Sequence, residues 1–346
     1  MDTYDAYRPW LDHPGTLIAA LPAMLGFVPE QSMVLVTMDR NGLGCAMRAD
    51  LSDDAASTAR QMAEVAASSG PDLAVLVFVD GAGASCRMCN DDYRLLADEV
   101  TAVLDAHGVV LWAGHVVDRI ADGGRWHCVD GCGHSGVVDD PAASPLAAAA
   151  VLDGRRLYRR RDELVEIVAA TDADRARGLA DLIGQAGHGG GDRPAAAARR
   201  DVEHVIAAAA ALAEGETVTD GDVARIACAL TDPRVRDTLY ALCVGRTSDQ
   251  VEALWSMLAR VLPVPWRSEA LVLLAFTAYT RGDGPLAGVS LEAALQANPD
   301  HRMARLLDQA LQTGMRPERI RELARTGYRM AKRIGVELPP FGLRAC

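Results

Sequence analysis

Two cysteine pairs, Cys86-x-x-Cys89 and Cys128-x-x-x-Cys132, have residue types and spacing that could do chemistry. A thiolate is both a nucleophile and a metal ligand, and pairs at such spacing occur in zinc sites and in redox centres. A joint site of all four thiols meets a geometric objection. Cys86 and Cys89 follow the carboxyl end of an apolar strand, whereas Cys128 and Cys132 read as the return strand of a hairpin, running toward the opposite edge. At about 3.3 Å per residue the pairs would lie more than about 10 Å apart, too far for Zn–S bonds of about 2.3 Å unless a long loop folds over. No tightly bound zinc is therefore expected. A redox pair, or a smaller site drawn from Cys128, Cys132, His127 and His134, stays open, but plain thiols without a special role are the expected reading.

Carboxylates offer a second chemistry. Asp50, Asp80 and Asp118 each end an expected strand, and parallel crossovers would bring all three to the carboxyl edge of one sheet, where open α/β sheets bind ligands. Three carboxylates there suit Mg²⁺, with Arg48 one step inside. Aspartates at strand ends also simply make turns. The loop Asp80-Gly81-Ala82-Gly83-Ala84-Ser85 has Cys86 where a dinucleotide loop wants its third glycine, and reads as a flexible connection. No cofactor is predicted; the carboxylates allow for Mg²⁺, and zinc is not expected. There is no G-x-x-x-x-G-K-[ST] loop, no Gly-x-Ser-x-Gly elbow and no His-Glu-x-x-His.

In the second half, Thr231-Asp232-Pro233-Arg234-Val235-Arg236-Asp237 places a cap at Asp232, while Arg236 and Asp237 either brace neighbouring helices or line a groove. On the last helix Arg321, Arg325, Arg329 and Arg333 recur every four residues, with Ile320, Leu323, Gly327 and Ile334 as its inner face. Such a stripe is a solvated face, or a docking face for an acidic surface.

The elements that must position these residues are legible from pattern. Leu17–Leu25 is helical. Strands are expected at Met33–Met38, Leu43–Leu51, Leu73–Val79, Val109–Val117 and near Trp126–Val129, with an Asp39–Gly42 turn. Helices are expected from Asp53 to about Ser69 and over Asp91–His107. The order β-β-α-β-α-β-β predicts an α/β domain with a mixed, partly parallel sheet over residues 1–141. A helical connector follows over 142–194, with a glycine-rich link at 187–191, and then an all-α, tetratricopeptide-like domain over 195–346. There, Leu271, Leu274, Ala275, Ala287, Ala294 and Pro299 follow the spacing of one repeat. Asp232-Pro233, Asn298-Pro299 and Arg316-Pro317 each read as a helix start with proline in the first position.

Charge divides the chain the same way. Residues 1–150 hold 21 acids and 8 arginines, a net of −13, whereas the remainder is at +1. An acidic half repels phosphate backbones, which argues against nucleic acid. The longest apolar run, near Ala270–Tyr279, is about half of the ~20 residues a membrane span needs, so no membrane association is expected. With no export signal expected either, the cysteines read as free thiols of a cytoplasmic protein.

Four stretches, Leu17–Leu51, Leu230–Asp237, Trp255–Pro263 and Leu271–Ala304, together resemble an actinobacterial family known as a domain of unknown function, number forty-one ninety-two. Trp126–Cys132 is similar to a Trp…Cys…Cys stretch of that family but lacks its doubled cysteine and following prolines. The resemblance implies a housekeeping or regulatory protein and brings no established activity. The expected function is regulatory or scaffolding, the helical half binding a protein partner. The alternative is an enzyme or ligand sensor with a magnesium- and phosphate-type site at the carboxyl edge of the sheet.

Overall fold

The computed structural model describes residues 8–39, 42–52, 54–152, 155–186 and 193–339. The tip of the expected Asp39–Gly42 turn (Arg40 and Asn41), Asp53 and the glycine link 187–191 lie outside them. The chain forms two units, residues 1–163 with 312–314, and residues 164–311 with 315–346.

The first unit opens with α1 (Arg8–Leu11) and α2 (Pro14–Leu25), then β1 (Ser32–Asp39), β2 (Gly42–Asp50), α3 (Ala55–Ser68) and β3 (Leu73–Val79). It continues through α4 (Arg87–Ala106), β4 (Val110–Val117), β5 (Arg125–Cys128), β6 (Ser135–Val137) and α5 (Pro145–Leu152). The sheet order is β2-β1-β3-β4-β5-β6. Among the neighbouring strands of this sheet, β3 and β4 pair in parallel and the others are antiparallel. The expected mixed sheet is present, with β6 as an added strand.

The apolar runs explain the layering. SMVLVTMD and LAVLVFV are buried along almost their whole length, as central strands covered on both faces must be. Alternation sends Met33, Leu35, Ala74, Leu76 and Phe78 to one face, where they pack with Ala59, Ala63 and Ala66 of α3 and Ala97, Val100 and Leu104 of α4. On the other face α2 reaches both β2 and β6.

The second unit is helical: α6 (Arg161–Val168) leads in, followed by α7 (Ala173–Ala186), α8 (Ala195–Ala213), α9 (Asp220–Leu230), α10 (Pro233–Leu239), α11 (Ser248–Val261), α12 (Trp266–Arg281), α13 (Gly284–Ala297), α14 (Arg302–Gln312) and α15 (Pro317–Ile334). Every residue of α12 from Ala270 to Thr280 is buried, so α12 is the core about which α11, α13 and α15 pack. Asp232 caps α10 through Arg234 N–H at 2.9 Å, with Pro233 in its first turn, and Pro317 opens α15. Pro299 departs from expectation. Asn298 closes α13, α14 begins only at Arg302, and the Asn298 side chain makes a turn by accepting Asp300 N–H. The inner face of α15 is also shifted: Ile320, Ala324, Gly327, Ala331 and Ile334 are buried, whereas Leu323 is 45% exposed. Gly327 sets the closeness of that packing, since a Cβ there would stand 2.8 Å from the Asp237 carbonyl oxygen.

Arg236 ties α10 to α12 in this arrangement. The Arg236 guanidinium pairs with Asp237 at 3.3 Å and with Glu269 of α12 at 3.4 Å, and His301, at the entry to α14, meets Glu269 from the other side at 3.3 Å. Removing the guanidinium leaves a shielded Glu269 short of a partner. Arg236→Ala should therefore lower stability by about 1–3 kcal/mol in urea unfolding. Arg236→Lys should recover only part of the loss, because it keeps the charge but not the planar fork.

Candidate metal centre

The site is built by a hairpin loop. Cys128 is the last residue of β5, and the ladder pairs His127 with Ser135. The next step places Cys128 opposite His134, joined by the Cys128 N–H to the His134 carbonyl at 2.9 Å. Between them, Gly131 at φ 75° and Gly133 at φ 86° take the left-handed backbone that glycine adopts at no steric cost. Asp130 tightens the turn by accepting Cys132 N–H at 2.9 Å. The loop thus folds back, and one ligand atom each from Cys128, Cys132 and His134 lie within 4.8 Å of one another. Among the described residues this is the one such cluster of histidine, cysteine or acidic groups.

The sequence pattern had Cys132 running away along a return strand. In the structure the strand ends at Cys128 and the chain reverses into β6, a three-residue strand (Ser-Gly-Val) with almost no hydrophobic signal. His127, by contrast, is turned away. Strand alternation sends it to the α4 face, where its Nε2 meets Asn90 Oδ1 at 2.8 Å.

Beneath the trio lies His115 of β4, which is 3% exposed, with its Nδ1 3.9 Å from Cys128 Sγ and its ring edge-on to Trp126. Burial pushes the His115 pKa down to about 4, so the ring is neutral near pH 7. Burial, then the neighbouring Cys132 thiol, pushes Cys128 up to about 12. Without a cation Cys128 is accordingly a protonated thiol; a bound metal ion would make it a thiolate. The cluster opens onto a cleft of about 520 Å³, whose walls include Trp10, Asp12, Leu17, Trp112 and Trp126.

The carboxylates do reach one sheet edge. Ser32 of β1 faces both Asp50 and Val79, and Val79 pairs with Val117, so Asp50, Asp80 and Asp118 end their strands together. They stand in separate turns. β1 intervenes between β2 and β3, setting Asp50 about two strand spacings, or roughly 9–10 Å, from Asp80. Asp50 is exposed and paired with Arg48, whose Nε also donates to Ser32 Oγ at 2.7 Å and whose guanidinium lies over the Phe27 ring. Asp118 accepts Arg125 N–H at 2.7 Å and pairs with Arg119. Asp80, 8% exposed, accepts from Gln31 Nε2 at 2.6 Å, Ala82 N–H at 3.0 Å and the Tyr93 hydroxyl. Burial favours its neutral form, but the Tyr93, Gly83, Gln31 and Ala82 donors outweigh that and hold it below the usual carboxylate range.

Of the stripe on α15, Arg321 is a brace, its Nε donating to the Thr280 carbonyl at 2.7 Å, whereas Arg325, Arg329 and Arg333 are exposed. No helix among the described residues is long and apolar enough to cross a membrane.

A family model described as a domain of unknown function (DUF4192) matches residues 14–318, which include all four stretches on which the resemblance rested. No curated protein and no solved structure matches the chain.

Proposed function

The chain belongs to the family described as a domain of unknown function (DUF4192), and within it we propose a metal-dependent regulatory protein whose α/β unit senses a small ligand. Cys128, Cys132 and His134 would hold one ion of the zinc class at the wall of the cleft, and the helical half would engage a protein partner. The observation that carries this reading is the convergence of the three ligand atoms within 4.8 Å at the cleft wall.

The donor set supports the choice of ion. Two thiolates and an imidazole are too soft for Mg²⁺ or Ca²⁺ and suit Zn²⁺. Three protein ligands leave the fourth tetrahedral position open, as in sites that bind a water or ligand on the metal. The cleft volume lies within the roughly 300–1,000 Å³ of small-molecule sites, and its tryptophans supply flat apolar walls. His115 stands where its N–H can donate to the Cys128 thiolate, a contact that orients the ligand and tempers its charge. Thiols kept for metal suit the reducing cytoplasm that the sequence suggests. The partner role rests on the tetratricopeptide-like spacing of Leu271–Pro299 and on the exposed Arg325, Arg329 and Arg333, which favour an acidic partner segment.

The test is titration of the chelator-treated full chain with Zn²⁺ against a chromophoric competitor, repeated with Co²⁺. The expected result is one equivalent bound, with a thiolate-to-cobalt charge-transfer band and the intense visible bands of a tetrahedral site. The absence of both the equivalent and the thiolate band would overturn the reading.

A further inference from the structure

A second thiol site lies on the α4 side of the sheet, independent of the metal cluster. α4 begins at Arg87, four residues before the sequence pattern places it, so that Cys86 is its N-cap residue and Cys89 occupies its first turn. Cys86 has the extended backbone of a cap, φ −88° and ψ 119°, which keeps its thiol at the helix end close to the N–H groups of the first turn, although the sulfur makes no capping hydrogen bond to them. We propose that Cys86 and Cys89 form a dithiol–disulfide exchange site, with Cys86 as the attacking sulfur, Cys89 as the resolving sulfur, and a protein-borne disulfide as substrate.

Three observations support it. First, the pair is split chemically. The Cys89 backbone N–H, then the Cys89 thiol and the Met88 N–H, hold Cys86 below the ordinary cysteine range. Cys89 is raised by the Cys86 thiol, by desolvation and by the charges of Cys86, Asp80 and Asp92. A nucleophile and a protonated resolving group need that asymmetry at neutral pH, and α4, at 20 residues, places the positive end of its dipole at Cys86. Second, the approach is rigid. The Asn90 amide donates to the carbonyls of Gly83, Ala84 and Cys86 at 3.2, 3.1 and 2.8 Å, and its oxygen meets His127 of β5. Behind it, Asp80 is anchored to Tyr93, which stacks on Phe78. Third, the surface suits a polypeptide. Met88, between the cysteines, is 73% exposed beside an exposed Arg87, an apolar platform with a cation next to two half-exposed thiols.

The exchange balances without another reactant. The Cys86 thiolate attacks one sulfur of the substrate disulfide, forming a mixed disulfide and expelling the other sulfur as a thiolate, which takes a proton. Cys89, losing its proton to water, attacks the Cys86 sulfur of that mixed disulfide. The Cys86–Cys89 bond forms and the second substrate sulfur leaves as a thiol. The substrate disulfide is reduced by two electrons and the dithiol is oxidised by two. The spacing permits the bond, because side chains three residues apart on a first helical turn are neighbours.

The test uses the full chain and oxidised glutathione as the disulfide probe, with peptide mapping by mass spectrometry. In wild type, a loss of two hydrogens is expected within the peptide holding Cys86 and Cys89. Cys89→Ser should accumulate glutathione on Cys86. Cys86→Ser should react at Cys89 at least about tenfold more slowly, since the activated thiolate is gone. As a check independent of variants, Cys86 in wild type should be alkylated by iodoacetamide with a midpoint below the ordinary cysteine value of about 8.5. Glutathione appearing equally on both cysteines of the two variants, or an alkylation midpoint at or above the ordinary value, would overturn the proposal.

Discussion

Phe78→Ala is expected to cost the α/β unit about 3–5 kcal/mol, the range for truncating a fully buried aromatic residue. Phe78 lies in the central strand β3 with no exposed surface, among side chains from both α3 and α4. Its ring is stacked on Tyr93 with centroids 4.8 Å apart and planes 16° from parallel, an arrangement worth about 0.5–1.5 kcal/mol beyond the area buried. The cavity left behind cannot be filled by β1 or β4, which are pinned on either side by backbone ladders. Amide hydrogen exchange across Leu73–Val79 should accelerate accordingly, because these amides exchange through the larger openings that the cavity makes easier. A loss under about 1 kcal/mol would contradict the packing of that face.

Cys132→Ser should weaken zinc binding by at least about a hundredfold, or about 2.8 kcal/mol at 1.4 kcal/mol per decade. A serine hydroxyl does not ionise near pH 7 and so cannot replace a thiolate on the metal. Cys132 is exposed in the loop, so the metal-free protein should keep its stability; the loss should be confined to the bound state. Zinc at 100 times its dissociation constant stabilises the wild type by about 2.7 kcal/mol, and this increment should vanish from the variant's thermal shift. His134→Ala should behave in the same way. Cys45→Ser, an exposed cysteine of β2 outside the cluster, is the control and should leave the affinity unchanged. Equal zinc affinity in all four proteins would remove the trio as the ligand set.

Continuous apolar runs bounded by turn residues made β1 and β3 readable, and small-residue periodicity did the same for α12 and α13. Proline and aspartate marked the start of α10 correctly because they act on their own backbone within three residues. Pro299 misled because proline suits a turn as well as a first helical position, and the choice lay with the packing of α13 and α14. The start of α4 was misplaced because a cysteine cap lacks the hydroxyl or carboxylate by which helix starts are recognised. That error hid the relation of Cys86 and Cys89 to the helix end.

The sequence by itself determined the two-part architecture, the apolar strands, the direction of β2, β3 and β4, and hence the shared edge reached by Asp50, Asp80 and Asp118. Those features follow from local pattern and from the chirality of strand–helix–strand connections, which act within a few tens of residues. Only the tertiary structure decided which chemical groups meet. β1 entering between β2 and β3 separated Asp50 from Asp80 by two strand spacings, and two glycines with left-handed backbone turned Cys132 and His134 back onto Cys128. The physical reason is one of scale: a ligand set is defined to within an ångström or so, and that precision comes from strand order and loop reversal, which residue types constrain only through the packing of the whole unit.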